Sequence, residues 1–238
     1  MTEWFEEWFG EEYLHLYPHR NERDAHRLIA LICRVLPWRA GWRVLDVACG
    51  AGRHLVALEE AGAVPFGFDL SGPLLARARR ATDRPLVRAD MRALPFRPRS
   101  MDLAVNLFTS FGYFAADEEH TDALGQMLAT VRPGGWFVID FLNAEQVRAA
   151  LVPAESTSLG GVSVEIHRAI SADGRFVHKS IRLDSGKHFE ERVRLLGPTD
   201  LERMLASHGA AVQGRFGDYQ GGPLDGGTRT ILTARVAQ

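Results

Sequence analysis

Residues 43–54, RVLDVACGAGRH, constrain this chain more than any other stretch of its sequence. An aliphatic run typical of a buried strand stops at a carboxylate, Asp46, and then turns through Gly50 and Gly52. In an open α/β sheet, ligands bind beyond the carboxyl ends of such strands. Backbone N–H groups at the turn can face a ligand, and glycine lets it approach closely. The stretch predicts either a nucleoside-binding loop or a tight turn that needs glycine only for its backbone angles.

Strand-like and helix-like segments alternate on both sides of this loop. We predict helices over 22–36, 53–61, 72–81 and 117–131, and strands over 43–48, 64–70, 85–90, 102–107 and 135–142. Asn21 is the expected N-cap of the first helix, and Pro37 is its expected end. Alternation of this kind predicts an α/β fold, a doubly wound and mainly parallel sheet with helices on both faces.

The pattern changes after residue 155, where three strand-like runs follow one another with glycine-containing turns between them. These runs predict a small antiparallel β insertion. We then predict a last helix over 198–209 and two strands, near 211–217 and 229–237, that complete a seven-stranded main sheet.

Two further acids lie at the ends of the next predicted strands. Asp69 ends the second strand, and Asp90 ends the third and is followed by Met91. The first acid can accept two hydrogen bonds from a ribose diol. The second can accept from an exocyclic amine, and methionine can lie against a flat purine. Each acid alone also fits a helix cap, but acids at the ends of three successive strands favour a nucleoside site.

The spacing of the glycine loop narrows the class of nucleotide. A dinucleotide fingerprint needs Gly or Ala at its sixth position, where this chain has Leu55, and no Gly-Lys-Ser/Thr sequence of a triphosphate-binding loop is present. The acid before the loop, Asp46, disfavours a pyrophosphate nearby. It favours a ligand that carries an ammonium group.

Five segments, in order and spacing, resemble the motifs of the class I, seven-strand S-adenosylmethionine-dependent methyltransferases: VLDVACGAGRH, GFDLS, RADMRALPF, MDLAVNLFTSFGYF and VRPGGWFVIDF. The resemblance covers about 36–145 and a helix-like segment near the end, PTDLERMLASHGA. It implies S-adenosyl-L-methionine as the cofactor and a seventh strand that runs antiparallel. The implied organisation is an N-terminal helical segment or lid over 1–37, a methyltransferase core over 38–154 and 197–238, and an insertion over 155–196 above the substrate site.

The same resemblance implies a set of cofactor-binding residues. The methionine part of the cofactor would face Asp46 and the loop from Gly50 to Gly52, the ribose would face Asp69, and the adenine would face Asp90 and Met91. The backbone around Asn106 and Leu107 would meet the amino-acid end, and Ala48 and Leu70 complete the implied set.

The segment after the fourth strand bears on the methyl acceptor. Ser110, Phe111 and Tyr113 match a Ser-aromatic-x-His/Tyr run of small-molecule N-methyltransferases that act on amino sugars or glycine. The Asp/Asn-Pro-Pro-aromatic sequence of enzymes that methylate nucleic-acid amino groups is absent. The resemblance therefore implies methyl transfer to an amino or hydroxyl group of a small molecule. Methylation of RNA or protein, or a regulatory protein that binds S-adenosylmethionine without catalysis, are the alternatives.

In-line methyl transfer asks for alignment, exclusion of water and, for some acceptors, a base. Tyr17 and Tyr113 are the catalytic candidates, and His167 and His178 on the insertion are further candidates for a base. No spacing typical of a metal site is present.

The N-terminal stretch WFEEWFGEEYLHLY places four aromatic side chains, Trp4, Phe5, Trp8 and Phe9, on one face of a short helix. Leaving that much apolar surface in water is costly, at about 25 cal/mol per Å², so the helix must dock. It either packs against the back of the sheet or a second copy of the chain, or it closes over the cofactor as a lid.

Charge and composition exclude some classes of partner. Lysine and arginine together number 28, aspartate and glutamate 30, and only Lys179 and Lys187 are lysines. With a net charge of −2, no overall field attracts the chain to nucleic acid or to an anionic membrane. The acidic N-terminus and the absence of a long apolar run predict a cytoplasmic protein without a membrane partner. We expect it to be a monomer or homodimer.

Overall fold

The computed structural model describes residues 3–17 and 22–238. Its helices are α1 (Trp4–Trp8), α2 (Glu11–Leu16), α3 (Glu22–Val35), α4 (Arg53–Glu60), α5 (Gly72–Ala78), α6 (Asp117–Thr130), α7 (Ala144–Ala150) and α8 (Pro198–Ser207). Its strands are β1 (Arg43–Val47), β2 (Val64–Asp69), β3 (Leu86–Arg88), β4 (Met101–Asn106), β5 (Val131–Leu142), β6 (Ala154–Leu159), β7 (Val162–Ile170), β8 (Phe176–Leu183), β9 (His188–Arg194), β10 (Ala210–Phe216) and β11 (Arg229–Val236). The predicted N-cap, Asn21, lies outside the described residues.

Seven strands form the main sheet, in the order β10-β11-β5-β4-β1-β2-β3. The pairs among β1 to β5 are parallel, whereas β11 pairs antiparallel with both β5 and β10. The predicted fold class and its antiparallel seventh strand are therefore confirmed. Because β1 lies between β2 and β4, the strand order reverses at β1, and a crevice opens at its carboxyl end.

Neighbouring residues of the main-sheet strands enter opposite cores, as the two-residue period of a strand requires. Leu45 packs in a core that includes side chains of α6 and α8. Val44, one residue earlier, packs in a core that includes side chains of α3 and α4. Helices therefore cover both faces of the sheet, which explains why the buried strands are almost continuously aliphatic.

The second sheet contains four antiparallel strands in the order β6-β7-β8-β9. The prediction of three strands after residue 155 was wrong in number, because β6, with the sequence AESTSL, was missed. This strand is largely exposed at the sheet edge, so it shows no alternation of apolar and polar residues. The short helix α7, which precedes it, was also missed.

The N-terminal segment, residues 3–17, lies between the second sheet and the carboxyl edge of the main sheet. Trp8 is fully buried, with its ring centre 4.9 Å from that of Phe189 on β9. Phe5 packs edge-to-face on Phe114, at 6.1 Å between ring centres. The aromatic face thus docks over the carboxyl edge, and the expectation that it packs against the back of the sheet is wrong. Among the described helices, none has the length and apolar character needed to cross a bilayer.

Candidate active site

A cavity of about 460 Å³ occupies the crevice at the carboxyl edge of the main sheet. Its floor comes from the loops that follow β1, β2, β3 and β4, and its roof comes from the N-terminal segment. The predicted site residues that line it are Tyr17, Ala48, Gly50, Asp69, Leu70, Asp90, Met91, Leu107 and Tyr113. Asp46, Gly52 and Asn106 lie outside this lining.

The loop after β1 turns through left-handed backbone conformations at Ala48, Gly50 and Gly52, with φ of 55°, 57° and 86°. A Cβ on Gly50 would meet no atom within 4 Å, so its backbone borders open space. A Cβ on Gly52 would lie 3.0 Å from the Cβ of Ala78, so this glycine allows close packing of the loop against α5. Gly50 and Gly52 therefore have different roles, since the first borders open space and the second packs against α5.

Asp69 links the loops after β1 and β2. Its Oδ2 accepts a hydrogen bond from the Gly50 N–H at 2.8 Å, and its Oδ1 accepts from the Ser71 N–H at 2.8 Å. Burial raises the pKa of Asp69 despite these hydrogen bonds. A carboxylate oxygen can accept more than one hydrogen bond, so Asp69 can hold the loop and still accept from a ligand in the cavity.

Asp46 is buried behind the loop, with 1% of its surface exposed. Among the residues that the structure describes, its Oδ2 has no hydrogen-bond partner. Burial and then the charge of Asp69 raise the pKa of Asp46 to about 8, against an opposing effect of Arg53. Two adjacent carboxyl groups with so little compensation favour a cationic ligand in front of them.

Asp90 and Met91 lie at the far end of the cavity. The Asp90 carboxylate accepts hydrogen bonds from the guanidinium of Arg92, the shortest at 2.7 Å between Nη2 and Oδ2. Partial burial opposes ionisation of Asp90, but the hydrogen bonds from Arg92 outweigh it and lower the pKa of Asp90. Asp90 is therefore an ionised hydrogen-bond acceptor at the cavity wall.

The turn after β4 contains two consecutive non-glycine residues in the left-handed region, Phe108 and Thr109, with φ of 58° and 61°. Such residues are strained, and the surrounding structure must hold them. The backbone N–H groups of Phe108 and Thr109 donate to Oδ2 and to the backbone oxygen of Asp140, both at 2.9 Å. Arg229 donates to Asp140 Oδ1 at 2.7 Å and to the Thr109 hydroxyl at 3.0 Å.

Asp140 and Arg229 thus form a buried pair that supports the cavity wall, and the sequence analysis missed both. One signal was present, because Asp140 lies near the end of a buried strand, as Asp46 and Asp69 do. Asn106, which was predicted to meet the ligand, is fully buried, and its Nδ2 donates to the backbone oxygen of Ser110 at 3.2 Å. Its side chain therefore braces the same turn.

The two catalytic candidates, Tyr17 and Tyr113, both line the cavity. Tyr113 follows the turn after β4, and its hydroxyl donates to the backbone oxygen of Thr109 at 2.6 Å. Tyr17 ends the N-terminal segment, and its hydroxyl oxygen accepts from Lys179 Nζ at 3.2 Å. The two histidine candidates, His167 and His178, are exposed on the second sheet and lie outside the cavity lining.

The fold is Rossmann-like, and the cavity at the carboxyl edge of its sheet has room for a nucleoside-containing ligand. A family model described as a methyltransferase domain matches residues 44–135. The dTDP-3-amino-3,6-dideoxy-alpha-D-glucopyranose N,N-dimethyltransferase of Streptomyces fradiae is 30% identical, over 88% of this chain and 84% of that protein. The chain belongs to the S-adenosylmethionine-dependent methyltransferases.

Two further similarities agree with this assignment. The dTDP-3-amino-3,4,6-trideoxy-alpha-D-glucopyranose N,N-dimethyltransferase of Streptomyces venezuelae is 30% identical, over 76% of this chain and 78% of that protein. A solved S-adenosylmethionine-dependent methyltransferase from Clostridium acetobutylicum shares the fold, with a TM-score of 0.81 at 17% identity over 95% of this chain and 98% of that one. The protein is a methyltransferase, and its cofactor is S-adenosyl-L-methionine.

The residues of the cavity fit this cofactor. The open space beside Gly50 lets a ligand approach the loop backbone. The unpartnered carboxyl oxygen of Asp46 and the adjacent Asp69 suit a ligand that is cationic at its sulfonium and ammonium groups. The cavity volume lies within the range of small-molecule and cofactor sites.

Proposed function

We propose that this enzyme methylates the amino group of a small amino sugar. The observation that carries the proposal is the lining of the cavity, which includes the carboxylates of Asp69 and Asp90 and the tyrosines Tyr17 and Tyr113. The carboxylates suit a nucleoside, and the phenol oxygens suit an amine. Both similar curated proteins are, by name, N,N-dimethyltransferases of dTDP-linked amino sugars, which supports the choice of nitrogen.

In this proposal, the cofactor is held by its three recognisable parts. Asp69 accepts from the ribose, Asp90 accepts from the adenine amine beside Met91, and the Gly50 backbone borders the methionine part. Asp46 lies behind the loop and makes no direct contact, which differs from the role that the resemblance implies. When bound, S-adenosyl-L-methionine supplies an electrophilic methyl group that an acceptor nitrogen can displace in line from sulfur.

We propose that the two tyrosines orient the acceptor amine. A neutral amine attacks with its lone pair, and its N–H groups need acceptors if that lone pair is to point at the methyl group. The oxygens of Tyr17 and Tyr113 provide such acceptors, because each already has a hydrogen-bond partner on the protein that fixes its position. Alignment of this kind is the main contribution that a protein can make to an in-line displacement.

The N-terminal segment acts as a lid in this proposal. Phe5, Phe9, Tyr13 and Tyr17 all face the cavity from it, so they exclude water from the site of transfer. We propose that the protein works in the cytoplasm as a monomer or homodimer on a small-molecule acceptor, without nucleic acid.

The experiment that tests the function measures S-adenosylhomocysteine formation with a panel of amino sugars, simple amines, phenols, carboxylates and RNA. We expect turnover with amino sugars, free or nucleotide-linked, and a product heavier by one or two methyl groups at nitrogen. Turnover with phenols or carboxylates and none with amines would replace the proposal by O-methylation. Tyr113→Phe in the same assay should lower turnover with little change in the affinity for S-adenosylmethionine.

A further inference from the structure

The two lysines of this chain occupy related places in the fold. Lys179 on β8 and Lys187 in the turn between β8 and β9 both belong to the second sheet, and both contact the N-terminal segment. Lys187 pairs with Glu12 at the surface. Lys179 donates instead to the hydroxyl oxygen of Tyr17, at 3.2 Å. Tyr17 lines the cavity described above, whereas Lys179 and Glu191 line a second cavity of about 460 Å³.

A single carboxylate oxygen holds Lys179 in place. Glu191 on β9 lies directly across from Lys179 in the strand register, and its Oε1 accepts from Lys179 Nζ at 3.2 Å. The same Oε1 accepts from the indole N–H of Trp8 at 2.7 Å. One carboxylate oxygen therefore contributes both to the docking of α1 and to the placement of Lys179.

Because the Lys179–Glu191 pair is largely buried, we expect its removal to have a larger energetic effect than removal of a surface ion pair. The side chains of Lys179 and Glu191 are 18% and 19% exposed, against 54% and 33% for Lys187 and Glu12. Removing one partner of a poorly solvated pair leaves the other charge uncompensated, whereas an exposed pair contributes little.

The choice of lysine at this place has a chemical reason. An ammonium group has three donors that diverge from one point, so it can serve a carboxylate and a phenol oxygen at once. The planar fork of arginine favours bidentate pairing with the carboxylate alone. Lysine therefore suits a residue that must hold Tyr17 as well as Glu191.

We propose that Lys179 is a positioning residue for methyl transfer, which holds the Tyr17 phenol so that its oxygen accepts an N–H of the acceptor amine. The inference rests on the proposed function in its choice of an amine. Trp8 and Glu191 complete the arrangement, because the lid must be docked for Lys179 to reach Tyr17. Tyr17 is thereby a fixed acceptor in the closed enzyme.

The kinetic test compares Lys179→Met with the matched control Lys187→Met, which removes the other lysine between the same two parts of the fold. We expect Lys179→Met to lower kcat roughly ten- to a hundredfold, because a small misplacement of an aligning group has effects of that size. The KM for the amine should change much less, Lys179→Arg should remain close to Lys179→Met because arginine pairs with Glu191 alone, and Lys187→Met should behave as the parent. Equal kcat values for the parent and Lys179→Met would overturn the proposal.

A double variant tests whether the loss of kcat in Lys179→Met depends on Tyr17. If Lys179 acts by holding the phenol, Lys179→Met should cause little further loss of kcat in a Tyr17→Phe background. An undiminished further loss in that background contradicts the proposal, because it places the effect of Lys179 elsewhere.

A spectroscopic test needs no acceptor, so it remains decisive even if the proposed function fails. The protein labelled with 3-fluorotyrosine has four labelled positions, and the Tyr17 fluorine resonance is the one lost in Tyr17→Phe. We expect Lys179→Met to shift the Tyr17 resonance and Lys187→Met to leave it in place. An unmoved Tyr17 resonance in Lys179→Met overturns the contact, whereas a parent that binds S-adenosylmethionine but methylates no amine overturns only the function.

Discussion

Three aspartates at the ends of three neighbouring strands have three different environments. Asp46 is buried with an unpartnered oxygen, Asp69 accepts from two backbone N–H groups, and Asp90 is paired with Arg92. The same side chain therefore provides a buried carboxyl group that is largely protonated near neutral pH, a loop support and an ionised cavity acceptor. What differs is solvation and the neighbouring donors, which decide where each carboxyl group titrates.

Asp69→Ala should weaken S-adenosylmethionine binding by roughly ten- to a hundredfold. Losing hydrogen bonds to a charged acceptor costs about 1.5–3 kcal/mol, and here the loop after β1 also loses the bond to the Gly50 N–H. Isothermal titration calorimetry measures the change, with Asp122→Ala on the exposed face of α6 as the control. Unchanged affinity at equal thermal stability would remove Asp69 from the cofactor site.

Asp46→Asn should make the ligand-free protein more stable at alkaline pH. The folded pKa of Asp46 is about 8, well above its ordinary value of 3.8, so the folded state binds the proton more tightly than the unfolded state. Stability from this group is complete below about pH 4 and falls as the pH rises towards 8, by up to about 1.4 kcal/mol per pH unit. The asparagine side chain in the variant does not titrate, so the stability of Asp46→Asn does not fall with pH for this reason.

Urea denaturation of the ligand-free protein at pH 5, 7 and 9 measures the effect of Asp46. The difference in unfolding free energy between Asp46→Asn and the parent should grow from pH 5 to pH 9. Asp122→Asn serves as the matched control and should show no such trend. A constant difference across this range would show that Asp46 is ionised throughout.

At the scale of elements, the N-terminal segment connects the two sheets. Trp8 and Leu16 pack with Ile166 and Ile181 of the second sheet, while Phe5 packs in the core of the main sheet. The segment is thus part of the structure as well as the roof of the cavity. One of the contacts that hold it is the turn between β6 and β7, where Gly160 lies against the backbone of His15.

Gly160→Ala should loosen the N-terminal segment, and Gly161→Ala is its matched control. Both glycines have positive φ, 56° and 83°, so alanine at either position costs about 1–2 kcal/mol in backbone strain. Only a Cβ on Gly160 would collide with the backbone oxygen of His15 in α2, whereas a Cβ on Gly161 meets nothing within 4 Å.

A protease specific for glutamate reports on this loosening, because the segment contains Glu6, Glu7, Glu11 and Glu12. We expect faster cleavage and lower turnover in Gly160→Ala than in Gly161→Ala. Equal cleavage rates in the two variants would show that α2 does not depend on this turn for its position.

At the scale of the whole molecule, ligand binding should stabilise the main sheet, the N-terminal segment and the second sheet together. The loops of the main sheet and the N-terminal segment line the cavity, and the second sheet packs against that segment. S-adenosylmethionine at about 100 times its Kd should stabilise the protein by about 2.7 kcal/mol. NAD and ATP should give little stabilisation, since Leu55 replaces the third small residue of a dinucleotide loop. Thermal shift and calorimetry with the three ligands test this, and tighter binding of NAD would contradict the cofactor assignment.

The sequence by itself determined the main sheet, its helices and the three acids at its edge. Each of these depends on local patterns, such as the aliphatic run before Asp46 and the turn through Gly50. Such patterns can be read from the sequence alone, because a few consecutive residues are enough to show the hydrophobic period of a strand or helix. The strand β6 was not predicted, because its residues are mostly exposed and polar and show no such period.

Only the tertiary structure decided how distant residues meet at the cavity. Arg229 supports the turn at Thr109 from 120 positions away, and Lys179 reaches Tyr17 across 162 positions. It also separated Gly50, which borders the open cavity, from Gly52, which packs against Ala78. These pairings arise from the order and register of strands, which place residues together in space without leaving a periodic signal along the chain.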